Sequence, residues 1–302
     1  MSANMPTKKM HADEVDIDGD LVARLIADQF PEWAGLPIRP VASAGTVHAL
    51  YRLGDELVVR LPRLAVPVEE VDKEHRWLPR LAPLLPVRIP LPHGRGVPTE
   101  GYPYPWSVYE WLEGENPKAD RLHDPEGLAR DLAAFIIALQ SVSTLDAPTS
   151  ARGTRTLAML DAPTRAAIER SRGLIDEAAA TAAWERALEA PEWRGPDIWV
   201  HADLLPGNLL VRRGRLSAVI DFGSVGLGDP ASDASVAWSL LPKSARRVFR
   251  AALDVDDATW ARGRGLALSI ALTALPYYRH SNPIFAEVAR HTIAEVLAYQ
   301  RP

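Results

Sequence analysis

The stretch that most constrains this 302-residue chain is 199–233, WVHADLLPGNLLVRRGRLSAVIDFGSVGLGDPASD. Two apolar runs, 208–211 and 216–220, flank the polar turn 212–215, which is the pattern of a β-hairpin. Asp203 and Asn208 lead into the first strand and Asp221 follows the second. Hairpin closure therefore gathers three oxygen-bearing side chains at one end of a small sheet.

These residue types suit phosphate chemistry. Mg²⁺ takes hard oxygen ligands, usually one or two carboxylates completed by substrate phosphates and water, so Asn208 and Asp221 are the candidate ligands. A further carboxylate with no metal role, Asp203, is placed to accept or orient the proton of an acceptor hydroxyl. Asp and Asn end strands and cap turns everywhere, so none of the three carries this reading alone. The spacing from His201 through Asp203 and Asn208 to Asp221-Phe222-Gly223 does. His201 reads as a buried imidazole that bonds nearby backbone and holds the loop, because Asp203 already supplies a proton acceptor.

The stretch resembles the catalytic and metal-binding loops of the aminoglycoside phosphotransferase family, antibiotic kinases that share the protein-kinase fold. The resemblance implies Asp203 as catalytic base, Asn208 and Asp221 as Mg²⁺ ligands, and Gly228-Asp229-Pro230 with Asp233 as the turn and helix start that follow. The family usually has Gly between the His and the Asp, where this chain has Ala202.

Upstream, residues 41–53, the turn Gly54-Asp55 and residues 56–61 read as strand, tight turn and strand. Ser43, Ala44, Gly45 and Thr46 form a small-residue loop whose amides could approach phosphate oxygens. Arg60 lies where kinases place the lysine that binds the nucleotide's α- and β-phosphates. The resemblance pairs it with Glu74, fourteen residues on, in a helix expected over 69–85. A guanidinium is planar and bidentate where an ammonium is a point charge, so this exchange is not neutral. Macrolide phosphotransferases have a Leu-Arg-x-Pro-Arg pattern to which Val59-Arg60-Leu61-Pro62-Arg63, with Glu74, is similar, and that keeps macrolides open as acceptors. Residues 106–110 read as the strand that crosses to the interlobe hinge, with Glu110 to Leu112 as the candidates for binding the nucleotide base.

Helical periodicity predicts helices at 21–30 capped by Asp20, from Pro125 capped by Asp124, within 161–190, at 231–241 and 244–253, from a cap at Asp256 or Asp257 to 275, and after Asn282-Pro283. Asp254, Asp256 and Asp257 beside Trp260 are candidates for a polyamine substrate, although acids at helix starts are more often caps. Tyr277 and Tyr278 are candidate walls of an acceptor cleft.

The formal charge of −5 lacks the basic excess of a nucleic-acid binder. The absence of cysteine excludes disulfides and a thiolate nucleophile. No apolar run of about 18 residues is present and the first residues lack a signal-peptide core, so neither membrane nor nucleic acid is expected as a partner and the location expected is cytoplasmic. The first dozen residues read as a mobile tail. The expectation is an α+β, protein-kinase-like two-lobed fold, with a small antiparallel-sheet lobe over 1–112 and a mostly helical lobe over 113–302. Its cofactors would be Mg²⁺ and ATP or GTP, and its reaction γ-phosphoryl transfer to a hydroxyl of an aminoglycoside. A macrolide, a choline-like or sugar-like metabolite, and a nucleotide-binding pseudokinase scaffold are the alternatives. The sequence leaves the oligomeric state open.

Overall fold

The computed structural model describes residues 14–42, 45, 47–65 and 67–299. The expected N-terminal tail lies outside the described residues, as do Ser43, Ala44 and Thr46 of the phosphate loop. The chain begins with α1 (Gly19–Gln29), β1 (Ile38–Pro40), β2 (His48–Leu53), β3 (Leu57–Pro62), α2 (Val68–Leu81), β4 (Pro92–Gly96) and β5 (Trp106–Glu110). The strands form one antiparallel sheet in the order β1-β2-β3-β5-β4.

Asp18, rather than Asp20, caps α1, its Oδ1 accepting from the Leu21 amide at 2.8 Å. Asp20 is already inside the first turn, where its charge still favours the helix N-terminus. Helix α2 stops at Leu81 instead of continuing to 85, because Pro83 lacks an amide hydrogen and tightens the chain into a 3₁₀ turn, Ala82–Leu84. Alternation along the strands divides the sheet. Ala49, Tyr51, Leu53, Val59, Leu61 and Val108 pack on Leu21, Val22, Leu25 and Ile26 of α1. The intervening positions His48, Leu50, Val58 and Arg60 therefore lie on the opposite face.

The rest is mostly helical: α3 (Pro125–Gln140), α4 (Asp161–Arg170), α5 (Glu177–Leu188), β6 (Ile198–Val200), β7 (Leu209–Arg212), β8 (Arg215–Val219), β9 (Gly226–Gly228), α6 (Ala231–Ala234), α7 (Val236–Leu240), α8 (Lys243–Leu253), α9 (Asp257–Tyr278) and α10 (Pro283–Leu297). Asp124, Asp256 and Asn282 cap α3, α9 and α10 through side-chain oxygens. The single helix expected over 231–241 is two, divided at Ser235, whose hydroxyl donates back to the Ser232 carbonyl at 2.6 Å. A second and larger apolar core joins these helices, and Trp77, Leu78 and Leu81 of α2 with Tyr109 of β5 belong to it. Helix α2 thus ties the sheet to the helical region.

The predicted hairpin is β7 and β8, in register from Leu209 opposite Val219. Arg88 pairs with Ala218 on one side and Glu115 with Val211 on the other, so the chain entering and leaving the N-terminal sheet brackets the hairpin. Strand β6 pairs with β9. The loop between β6 and β7 and the loop between β8 and β9 consequently open on the same side.

Candidate active site

The loop from His201 to Asn208 is built around a buried carboxylate. Asp233, at the start of the helices that follow β9, accepts from the amides of His201 at 2.9 Å and Ala202 at 2.8 Å. Burial pushes the Asp233 carboxyl up to about 7, and those two amide donors work against the shift. His201 is fully buried, lies 4.6 Å from the Phe222 ring, and donates from Nε2 to the Ile220 carbonyl at 3.2 Å, which fixes its tautomer. Burial lowers its pKa to about 4, so the ring is neutral at pH 7.

Ala202 stands at φ 62°, in the left-handed region, which explains why glycine suits this position. Ala202→Gly is therefore expected to raise the unfolding free energy by about 0.5–1 kcal/mol in chemical denaturation, with turnover retained. A loss of stability would mean that packing of the Ala202 methyl outweighs the backbone strain.

The strained loop presents Asp203. Its Oδ1 accepts from Arg152 Nη1 at 2.5 Å and its Oδ2 from Asn208 Nδ2 at 3.2 Å, while Asn208 Nδ2 also donates to the Asp203 carbonyl at 2.8 Å. Burial pushes the Asp203 carboxyl up to about 6 against the pull of Arg152, with the charge of Asp221 adding to the rise. Such a carboxylate is ionised at neutral pH yet basic enough to take a proton.

Across the site, Arg60 on β3 holds two acids. Its Nη1 donates to both oxygens of Glu74 on α2, at 2.9 and 2.8 Å, and its Nη2 to Asp221 Oδ1. Tyr109 Oη donates to Glu74 Oε2 at 2.7 Å, completing the hydrogen bonding of a carboxylate that is 4% exposed. Lys73 donates to the Gly223 carbonyl at 2.6 Å. Asp221 adopts a left-handed conformation, φ 66° and ψ 68°. Burial works against its ionisation, but Arg60 first, then His48, His201 and Arg152, hold its carboxyl down at about 2. His48, on the same sheet face as Arg60, is lowered to about 3 by burial and then by Arg60.

Asn208 and Asp221 fit a hard cation. The Asn208 amide nitrogen is committed to the Asp203 loop, which leaves Oδ1 as the outward donor, and Asp221 has its second carboxylate oxygen beyond the Arg60 contact. Two protein oxygens of this kind match the way Mg²⁺ is held beside phosphates. Among the described residues no three His, Cys, Asp or Glu side chains form a protein-only metal cage.

The structure thus brings Asp203, Asn208, Asp221, Arg60 and Glu74 together, with His201 and Asp233 beneath them. Gly45 precedes β2, next to the undescribed Ser43 and Thr46. Glu110 ends β5 with its side chain paired to Arg88 and its amide donating to the Leu91 carbonyl at 2.9 Å. Leu112 is buried two residues beyond.

The polyamine reading of the acidic cluster is not supported. Asp254 is the left-handed C-cap of α8, Asp256 caps α9, Asp257 pairs with Arg250, and Trp260 packs 4.4 Å from Trp238 in the core. Helix termini leave amides and carbonyls to be satisfied, and these acids are used there. Tyr277 is 57% exposed, and the Tyr278 ring packs at a tilt, 5.1 Å from Phe285.

Three residues escaped sequence reasoning. Arg152 reaches Asp203 from a turn 51 residues earlier. Lys73 had a signal in its position next to Glu74. Arg262 on α9 binds Asp229 through two donors, at 2.7 and 3.0 Å, and fastens the Gly228-Asp229-Pro230 turn to the helical core.

Comparison with protein families matches residues 38–266 to the phosphotransferase enzyme family. Comparison with the curated proteins gave no match. Among solved structures, the GDP and kanamycin complex of APH(2")-IIia superposes with a TM-score of 0.72 at 20% identity, covering 91% of this chain and 98% of that one. ADP-bound aminoglycoside phosphotransferase APH(2'')-Ib gives a TM-score of 0.60 at 17% identity, covering 93% and 97%. The apoenzyme of macrolide 2'-phosphotransferase MphH from Brachybacterium faecium gives 0.59 at 22% identity, covering 94% and 99%.

Proposed function

We propose, from the premise that the chain belongs to the phosphotransferase enzyme family, that it moves the γ-phosphoryl group of ATP or GTP to a hydroxyl of a small-molecule antibiotic, an aminoglycoside first among them. The nucleotide lies between a sheet lobe ending near Leu112 and the helical lobe. The observation that carries this reading is the gathering of Asp203, Asn208 and Asp221 opposite the Arg60–Glu74 pair.

Phosphoryl transfer asks little covalent chemistry of a protein and much positioning and charge stabilisation. The Asp203 carboxylate orients the acceptor hydroxyl and takes its proton. The acceptor oxygen forms the new bond to phosphorus, the bond to the β,γ-bridging oxygen breaks, and the electron pair leaves on the nucleoside diphosphate. Arg60, fixed by Glu74, lies on the sheet face toward the donor phosphates. Mg²⁺, held by Asn208 and Asp221, would neutralise phosphate charge when bound. An intact set of this kind speaks against a pseudokinase scaffold.

A second acceptor class, the macrolides, is favoured by the similarity of Val59-Arg60-Leu61-Pro62-Arg63, with Glu74, to the macrolide phosphotransferase pattern.

The test is the mass of candidate compounds after incubation with protein, Mg²⁺ and ATP or GTP. One added phosphate on an aminoglycoside supports the first acceptor, and on a macrolide the second. Bound nucleotide without any phosphorylated product across aminoglycosides, macrolides, choline and sugars would sink the kinase reading.

A further inference from the structure

Arg152 belongs to no motif, yet its turn is fastened along its length to the segment that follows Asp221. Ser150 donates its amide to the Leu227 carbonyl at 2.9 Å and its hydroxyl to the Ser224 carbonyl at 2.6 Å. Leu227 donates back to the Pro148 carbonyl at 2.7 Å, and Asp229 to the Gly153 carbonyl at 2.9 Å. The two chains approach so closely that a Cβ on Gly226 would lie 2.6 Å from the Pro148 carbonyl oxygen, and one on Gly228 2.6 Å from Gly153 backbone. Gly226 also has φ +159°, where a side chain is disfavoured.

This clamp holds the turn without help from the Arg152 side chain, which is 51% exposed and uses only Nη1 on Asp203. A half-exposed ion pair adds little stability. The guanidinium lies close enough to the site that its charge acts on Asp221, His201 and Glu70 as well as on Asp203. Arg60 is committed on both nitrogens to Glu74 and Asp221. Arg152 therefore sets a half-exposed cation on a firmly held turn beside Asp203, the group proposed to take the acceptor's proton.

We propose that Arg152 is a catalytic residue that bridges the Asp203 carboxylate and the equatorial oxygens of the transferring phosphoryl group. The proposal rests on the kinase reading above. The guanidinium forms and breaks no covalent bond. It meets charge spread over the phosphoryl oxygens while the new bond to the acceptor oxygen forms, the bond to the bridging oxygen breaks, and the proton passes to Asp203. Its fork of donors suits two oxygens at once, whereas a lysine would offer a point charge.

The test needs no acceptor. The affinity for ADP or GDP with Mg²⁺, whichever binds more tightly, is measured with and without aluminium fluoride, which imitates the phosphoryl group in flight. In the wild-type protein the fluoride is expected to tighten binding. In Arg152→Met that gain is expected to shrink by about 10- to 100-fold, the range for losing a charged hydrogen bond, and in Arg152→Lys by less. A gain undiminished in both variants overturns the proposal and leaves the kinase reading standing. A diphosphate affinity that falls as far as the analogue affinity also overturns it, since that marks a purely structural residue. Failure of the wild-type protein to bind either nucleotide overturns both.

Discussion

Asp203→Asn is expected to lower turnover of the phosphorylated acceptor by about 10²- to 10⁴-fold, the range for losing a general base. Asn keeps the shape of the side chain and its one amide oxygen can still accept from Arg152, while the backbone carbonyl of residue 203 keeps its bond from Asn208, so the loop built on Asp233 stays in place. The sign of the stability effect is opposite to that of the activity effect. Burial raises the Asp203 carboxyl to about 6, so the fold prefers its protonated form, and ionising it at pH 7 opposes folding. The stability this group contributes is full below its unfolded pKa near 4 and is lost as pH rises through about 6. A neutral amide escapes that loss, and the thermal midpoint of the variant at pH 7 should not fall. For the wild-type enzyme the same value predicts that kcat/KM declines as pH drops below about 6, because only the ionised carboxylate accepts a proton. A folded Asp203→Asn protein with near-normal turnover would remove Asp203 from the chemistry.

Arg60→Met should be the most damaging single change to the fold near the site. Glu74 has 5% side-chain exposure and is held by Arg60 and Tyr109, and the Arg60 side chain is itself 14% exposed. Removing one partner strands a buried carboxylate, which costs about 3–5 kcal/mol in typical cases. Denaturant unfolding reads this directly, and nucleotide affinity should fall with it. Arg60→Lys separates charge from geometry. A single ammonium cannot span both Glu74 oxygens and Asp221, so the variant should fold yet bind nucleotide about tenfold more weakly, on the scale of one charged hydrogen bond. Unchanged nucleotide affinity would show that any cation suffices there.

What the sequence displayed and what it hid differ in a physical way. The candidate site was legible because it is local: Asp203, Asn208 and Asp221 are joined by one hairpin, and alternation with a polar turn is enough to fold it on paper. Arg60 and Glu74 were legible because a strand and the next helix preserve a fixed offset, and the resemblance supplied the partner. Asp233 was visible as a helix start, but its two amide acceptor bonds depend on where β6 passes, which no periodicity reveals. Arg152 was hidden for the same reason. Its contact with Asp203 follows from the packing of residues 148–153 along β9, and a backbone clamp leaves only a glycine or two as its trace. The acids around Asp254 follow the usual habit of acids at helix starts, and a cluster in sequence is dispersed among two helix ends and an ion pair with Arg250.

Helix α2 is where this architecture has its widest consequence. In kinases subject to regulation, the helix that carries the paired glutamate swings, and bringing it in is the act that switches the enzyme on. Here Glu74 already grips Arg60, and the adjacent Lys73 holds the Gly223 carbonyl in the turn after Asp221. Trp77, Leu78 and Leu81 on the same helix are sunk in the larger core. With this helix already docked, product should accumulate linearly from the moment nucleotide and acceptor are mixed, and a lag would show that the helix must first move in.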